Sequence, residues 1–251
     1  MREFKRLPTH ILRDSCFESL IRSWKPGNFL EIGPGLGNTA KFFLKKGFKG
    51  ACFDISKKSR EMLIVNLREY TPSLKVIENL SLVEKGSFDY LFIFDVIEHV
   101  EDDLLMLKEF TEYLKEGGIL LISVPAHKKE FGKSDELMGH FRRYEKNELC
   151  ELMKSCGYNE ITVLNYGFPL VNLTLRGINL LYRLLGNKED SDYGTLSMSE
   201  RAQKSGVESP DIVNKLSFFF NRFTVLPFIF LQRLFLKKDW GVAYIAYARK
   251  M

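Results

Sequence analysis

NFLEIGPGLG, residues 28–37, is the stretch that decides the fold. Asn28 to Gly33 is short, largely apolar and followed by glycines, which reads as a buried strand. Gly33, Gly35 and Gly37 then fill the turn before a helix expected at about 38–46. Glycine there admits positive φ and lets a ligand lie against bare backbone. The spacing is not the dinucleotide fingerprint G-x-G-x-x-G, because Asn38 stands where its third glycine would fall. No Lys-Ser/Thr pair follows either, so a phosphate cradle is not indicated.

The same rhythm runs outward on both sides. A helix at about 10–24 ends before Lys25-Pro26-Gly27, which cannot continue it. Downstream, strands are expected at 50–54, 74–78, 88–95, 117–125 and 159–167, with helices at about 57–70, 101–115 and 145–156. Alternating strands and helices with short connections predict an α/β fold whose mostly parallel sheet is covered on both faces. After Gly167 the pattern changes. Residues 170–185 are apolar except for Asn172, Arg176, Asn179 and Arg183, whose spacing forms one stripe along a helix. A polar stretch at about 186–210 reads as a mobile loop, and 211–236 is rich in phenylalanine, with Pro227 kinking or dividing its helix. WGVAYIAYAR, residues 240–249, suits a last strand.

Composition narrows the function. With 45% hydrophobic and 27% charged residues, the 251-residue chain is neither a disordered tail nor a fibre, and its length suits one domain with an elaboration. Net charge is +5, but no basic tract reaches five or six residues, so no nucleic-acid partner is expected. Cys16, Cys52, Cys150 and Cys156 are scattered without a C-x-x-C pair, which gives no zinc or redox motif and predicts reduced thiols in the cytoplasm, with no metal. The opening MREFKRLPTH lacks the apolar core of a signal peptide. No uncharged run reaches the ~18 residues of a spanning helix. A soluble or surface-bound protein is expected.

Acids sharpen the reading of the glycine turn. Glu31, Asp54 and Asp95 end the first, second and fourth strands, and the carboxyl ends of parallel strands open onto one crevice. A carboxylate after the second strand can accept both hydroxyls of a ribose. The competing reading makes these acids helix N-caps, which Asp does well.

EIGPGLG, the acid in FDIS, and FDVIEHV followed by GGILLISVP together resemble the class I S-adenosylmethionine-dependent methyltransferases. The likeness is to the branch that contains quinone-biosynthesis O-methyltransferases, and it covers about residues 25–166 and the final strand. It implies a Rossmann-like seven-stranded sheet whose antiparallel last strand inserts beside the sixth. Residues 1–166 and 239–251 would form the cofactor domain, and 167–238 an inserted helical cap. By position, Gly33, Pro34, Gly35 and Gly37 would line the methionine and ribose of S-adenosylmethionine, with Glu31 near its amino group. Asp54 would bind the ribose, Ile55, Asn79 and Leu80 the adenine, and Asp95 with Val96 the mouth of the pocket. S-adenosylhomocysteine would be the product.

An oxygen nucleophile benefits from a base, and the chain has four histidines. His140, in a GHFRRY segment, is the candidate at the reaction centre. His99 reads equally as packing at a helix start. His127, Arg142, Arg143 and Tyr144 are candidates for holding the acceptor, the arginines through a phosphate or carboxylate. Residues 213–251 carry seven Lys/Arg against one acid, interleaved with Phe and Leu, a composition that suits an anionic membrane surface. The acceptor expected is amphipathic, lipid-linked or saccharide, with the protein cytoplasmic or peripheral on the inner face of a membrane. A homodimer contact explains the same apolar helices. Two rivals stay open: a nicotinamide-dependent oxidoreductase, and a cofactor-binding protein that docks a partner without catalysis.

Overall fold

Strand β1 (Asn28–Ile32) is buried from Phe29 onward, as an unbroken apolar run at the centre of a sheet requires. Phe29 and Leu30 are fully buried and belong to different hydrophobic clusters, so the two faces of the sheet are both covered. The computed structural model describes residues 7–185, 196–205 and 221–251. Beside β1 run β2 (Lys49–Phe53) and β4 (Phe88–Phe94), both parallel to it, with β3 (Leu74–Ile77) outside β2 and β5 (Leu114–Pro125) outside β4. The order is β3-β2-β1-β4-β5-β7-β6, where β6 is Tyr158–Tyr166 and β7 is Ala243–Lys250. β7 lies antiparallel between β5 and β6, pairing Ala246 with Ile122 and Val163. The expected seven-stranded Rossmann-like sheet, with its inserted last strand, is present.

One face carries α1 (Pro8–Leu20), α2 (Asn38–Leu44) and α3 (Lys57–Asn66), through Leu12, Phe17, Phe43 and Leu63. The other carries α4 (Asp103–Thr111) and α6 (Lys146–Ser155), through Leu107, Leu149 and Met153. Several boundaries differ from the sequence reading, among them the helix expected to 115, which ends at Thr111, and the last strand, which begins at Ala243. Helices expected to run to 24 and 70 end earlier, at Leu20 and Asn66, and each is followed by a short 3₁₀ turn. β5 starts at Leu114, ahead of Gly117, whose φ of 71° bends the strand where β4 pairing shifts register. A short helix α5 (Lys133–Met138) sits between Gly132 and Gly139, too brief for a helical period to show.

Between β6 and β7 the described residues form α7 (Leu170–Leu185), α8 (Met198–Ser205) and α9 (Arg222–Arg233). Part of the loop expected at 186–210 is therefore helical, and the rest of it lies outside the described residues. So does the beginning of the Phe-rich stretch, while α9 runs through Pro227 without dividing. Val225 and Ile229 enter the core beside α1. Buried Gln232 locks this docking, donating to the Leu12 carbonyl at 3.0 Å and to Ser15 Oγ at 2.8 Å, and accepting from Gly167 N–H at 3.3 Å.

Three residues of the polar stripe on α7 have protein partners, although Arg176 stays mostly exposed, and the side chain of the fourth, Arg183, lies outside the described residues. Asn172 donates to the Trp240 carbonyl at 2.8 Å, Arg176 pairs with Glu130 at 2.7 Å, and Asn179 accepts from Ser134 N–H at 3.0 Å. Leu173 and Leu180 are left 66% and 55% exposed, so an apolar face points outward. No helix is long and apolar enough to cross a membrane among the described residues.

Candidate active site

Strand order reverses between β1 and β4, and the crevice beyond their carboxyl ends is where open parallel sheets bind ligands. Glu31, Asp54 and Asp95 all sit at that edge. The turn after β1 is built as its glycines require: Gly33, Gly35 and Gly37 have φ of 64°, 53° and 83°. Gly33 N–H donates to the Phe53 carbonyl at 2.9 Å, tying the turn to β2. A Cβ on Gly33 would lie 2.6 Å from Val96 Cγ2, so Val96 packs directly over the turn. At Gly37 a Cβ would meet Leu63 and Leu67 at 2.7 Å, so close packing against α3 accounts for that glycine. Asn38 is the first residue of α2.

Glu31 is 2% exposed, and its Oε2 has no hydrogen-bond partner. Burial pushes its carboxyl up to about 8, against the opposing pull of Arg13. Asp54 is also buried, and burial raises its pKa against hydrogen bonds from the Ser56 and Gly35 backbone. Its Oδ1 accepts from Ser56 N–H at 2.8 Å, while the N-cap of α3 is Ser56 rather than Asp54. Ile55 beside it is 69% exposed. Asn79 caps a short turn, accepting from Ser81 N–H at 2.9 Å, and Leu80 packs against the second core.

Asp95 has a φ of 55°, unusual for a residue with a side chain. It accepts from Ser123 Oγ at 2.9 Å and is ion-paired with Arg13 of α1. Arg13 also donates to Thr39 Oγ1 at 3.1 Å, so α1, α2 and β4 meet on one guanidinium. Burial works against that charge, yet Asp95 and its neighbours keep the Arg13 pKa above its ordinary value. The sequence reading missed Arg13. Its signal was a lone cation among Ile11, Leu12, Cys16 and Phe17 on the buried side of the helix.

The acceptor candidates separate into three places. His140 Nδ1 lies 2.8 Å from Asp135 Oδ1, which also accepts from Arg143 Nε at 3.0 Å. Burial alone would raise the Asp135 carboxyl, but His140 and Arg143 outweigh it and hold it below the carboxylate range. His99 joins this group, its ring 4.7 Å from that of His140 and its Nδ1 3.0 Å from the Gly139 carbonyl. Burial and His140 push the His99 pKa down to about 4. His127 stands apart at the end of β5, 3.5 Å from Glu145 and 3.6 Å from Asp239. Arg142 and Tyr144 converge instead on Asp103, at 3.0 and 2.7 Å. Glu98, quoted in the motif but given no role by the sequence reading, is fully buried within contact range of this histidine pair.

These residues fit S-adenosylmethionine on chemistry: bare backbone at Gly33 and Gly35, a carboxylate after β2, and an orphaned buried acid oxygen at Glu31 able to take an ammonium group.

Comparison with known proteins points the same way. A family model described as a methyltransferase domain matches residues 9–163, more than half of the chain. (S)-coclaurine N-methyltransferase of Papaver somniferum is 28% identical over 162 residues, covering 61% of this chain and 39% of that enzyme. Ubiquinone biosynthesis O-methyltransferase of Pelagibacter ubique is 28% identical over 116 residues, covering 45% of this chain and 48% of that enzyme. The match thus spans less than half the length of either relative. Phosphoethanolamine N-methyltransferase 2 of Haemonchus contortus, solved with S-adenosyl-L-methionine, shares the fold with a TM-score of 0.60 at 19% identity, covering 95% of this chain and 52% of that one.

Proposed function

The chain belongs to the methyltransferase-domain family, and we propose that it moves a methyl group from S-adenosylmethionine to an oxygen of an amphipathic, lipid-linked or saccharide acceptor. When bound, that cofactor supplies a methyl group on a sulfonium, ready for in-line displacement. The observation that carries the cofactor half is the orphaned Glu31 oxygen beside a positive-φ glycine turn, at the switch point of a parallel sheet. In this reading Gly33, Pro34, Gly35 and Gly37 give the turn that receives the methionine and ribose. Glu31 takes the amino group and Asp54 the ribose hydroxyls. Ile55, Asn79 and Leu80 flank the adenine, with Asp95 and Val96 at the mouth. The acceptor's proton leaves on the side of His140, whose Nδ1 is oriented by Asp135. A nitrogen acceptor is the second reading, favoured by the name of the Papaver relative.

Exposed apolar area supports a lipid-linked acceptor. On α9 and at its C-cap, Phe223, Leu226, Phe230 and Leu234 recur at helical spacing and are 86%, 41%, 59% and 73% exposed. Arg233, Lys237 and Lys238 are exposed beside them, and Trp240 is 52% exposed. An apolar face edged by cations matches an anionic lipid surface, where each cation contributes about 1 kcal/mol. Arg249 and Lys250, counted in the sequence-level charge excess, hold the Gly117 and Leu114 carbonyls at 2.6 and 2.8 Å and do not join this face.

The test is co-sedimentation with phosphatidylcholine and phosphatidylglycerol vesicles, alongside a mass measurement in solution. Binding to the anionic vesicles that weakens with salt is expected. No binding to either, with a dimer that buries α7 and α9, would overturn the membrane reading and leave the family assignment untouched.

A further inference from the structure

We propose that a cleft at the amino ends of the parallel strands binds a small aromatic carboxylate, apart from the crevice at their carboxyl ends. The cleft measures about 410 Å³ and is lined by Trp24, Lys25, Tyr90, Glu160, Tyr247 and Arg249. That volume is in the range of small-molecule sites. Its floor is the sheet itself: Ile119 pairs with Tyr90 on one side and Arg249 on the other, so the three side chains share a face. Strand β7 runs antiparallel, which brings its last residues to this end. Tyr90 stands roughly 13 Å along β4 from Phe94, beyond which the Asp95 crevice opens, so the two sites do not share an occupant.

Three aromatic rings hold one another in place. Trp24 stacks on Tyr90 with centroids 5.3 Å apart and meets the edge of Tyr247 at 6.1 Å. Tyr90 is buried, and its hydroxyl donates to the Lys25 carbonyl at 2.7 Å, which ties the segment carrying Trp24 to the sheet. Trp24 and Tyr247 are half-buried, so ring area stays open to the cleft. Walls ordered before binding cost little to organise, and a planar ring gains stacking or edge contacts on them.

The charges choose the sign of the ligand. Two cations, Lys25 and Arg249, stand against one acid, Glu160, which leaves one positive charge in the lining. Lys25 has no ion pair among the described residues. Arg249 is half exposed, and it donates from Nη1 to the Gly117 carbonyl at 2.6 Å and from Nε to Glu160 Oε2 at 3.4 Å. The guanidinium is thereby fixed, with Nη2 left for a carboxylate. Glu160 has a φ of 50° where the pairing of β6 with β7 shifts register. Backbone held in that region collects at binding sites, and here the bulge carries the acid onto Arg249. A flat monoanion matches both the ring walls and the surplus charge. The site stands whether or not the crevice takes S-adenosylmethionine.

The probe is indole-3-acetate titrated calorimetrically into the full chain, with tryptamine and acetate as controls for charge and for ring. One site per chain with a Kd below about 1 mM is expected, with tryptamine and acetate each at least tenfold weaker. Arg249→Gln and Trp24→Leu should each weaken indole-3-acetate at least tenfold, and Lys25→Gln at least threefold. Lys25→Gln alters an exposed side chain, so it decides the matter should circular dichroism show that the other variants do not fold. Saturation with S-adenosylhomocysteine should leave the affinity unchanged. Absence of saturable binding, equal affinity for tryptamine, displacement by S-adenosylhomocysteine, or undiminished affinity in folded Lys25→Gln would each overturn the proposal.

Discussion

Replacing Glu31 by Gln should make the protein less sensitive to rising pH. Glutamine keeps the shape of the side chain and does not titrate. In the folded protein burial pushes the Glu31 carboxyl up to about 8, while the ordinary value that the unfolded chain adopts is 4.5. Below the lower value both states are protonated, and the group has no effect on the balance. Above it the unfolded chain loses a proton that the folded chain keeps, so stability falls with pH until the folded carboxyl also ionises. Each unit in that window is worth about 1.4 kcal/mol, giving a loss of about 2–3 kcal/mol between pH 5 and pH 7. The residue is 2% exposed, so solvent screening removes little of this. Urea unfolding of both proteins at the two pH values reads the difference directly. The parent should lose about 2–3 kcal/mol more than Glu31→Gln over this interval. Parallel pH profiles would refute the claim that burial outweighs the pull of Arg13 at this acid. A bound ammonium group should reverse the effect, so that S-adenosylhomocysteine binding at pH 7 releases a proton, visible by calorimetry in buffers of different ionisation enthalpy.

Gly33→Ala should destabilise the fold by about 1–2 kcal/mol from its positive φ alone, and further because its Cβ would meet Val96 at 2.6 Å. Adding Val96→Ala should recover only the steric part in the same unfolding assay. Arg13→Met removes the cation paired with Asp95, whose side chain is 38% exposed. That exposure limits the expected loss to about 1–2 kcal/mol rather than the larger cost of breaking a fully buried pair. Denaturation midpoints at one pH measure it, and an unchanged midpoint would show that α1 is not held by this contact.

Much of the fold was legible because it rests on local chemistry. The apolar run ending at Ile32 and the glycines after it need no distant partner to be read, and the acids at 31, 54 and 95 fall at strand ends by counting along the chain. Contacts made across the fold were not legible. Arg13 meets Asp95 over 82 residues of sequence, and nothing near either announces the other. The stripe of Asn172, Arg176 and Asn179 was visible as a stripe, but periodicity gives two faces without saying which one turns inward. Here Val171 and Tyr182 are the buried ones, and the stripe finds its partners in Trp240, Glu130 and Ser134. His140 could be suspected as one histidine of four, whereas its grouping with Glu98, His99 and Asp135 depends on the fold that folds residues 132–141 back against the end of β4.

The most direct test of the central claim is isothermal titration of S-adenosylhomocysteine, and separately of NAD, into the parent protein and Asp54→Ala. Binding of S-adenosylhomocysteine at one site per chain is expected, with no heat from NAD. The variant should lose up to two charge-assisted hydrogen bonds worth about 1.5–3 kcal/mol each, a weakening of at least tenfold. Undiminished affinity in a folded Asp54→Ala protein would contradict the cofactor site, and binding of NAD in place of S-adenosylhomocysteine would contradict the function.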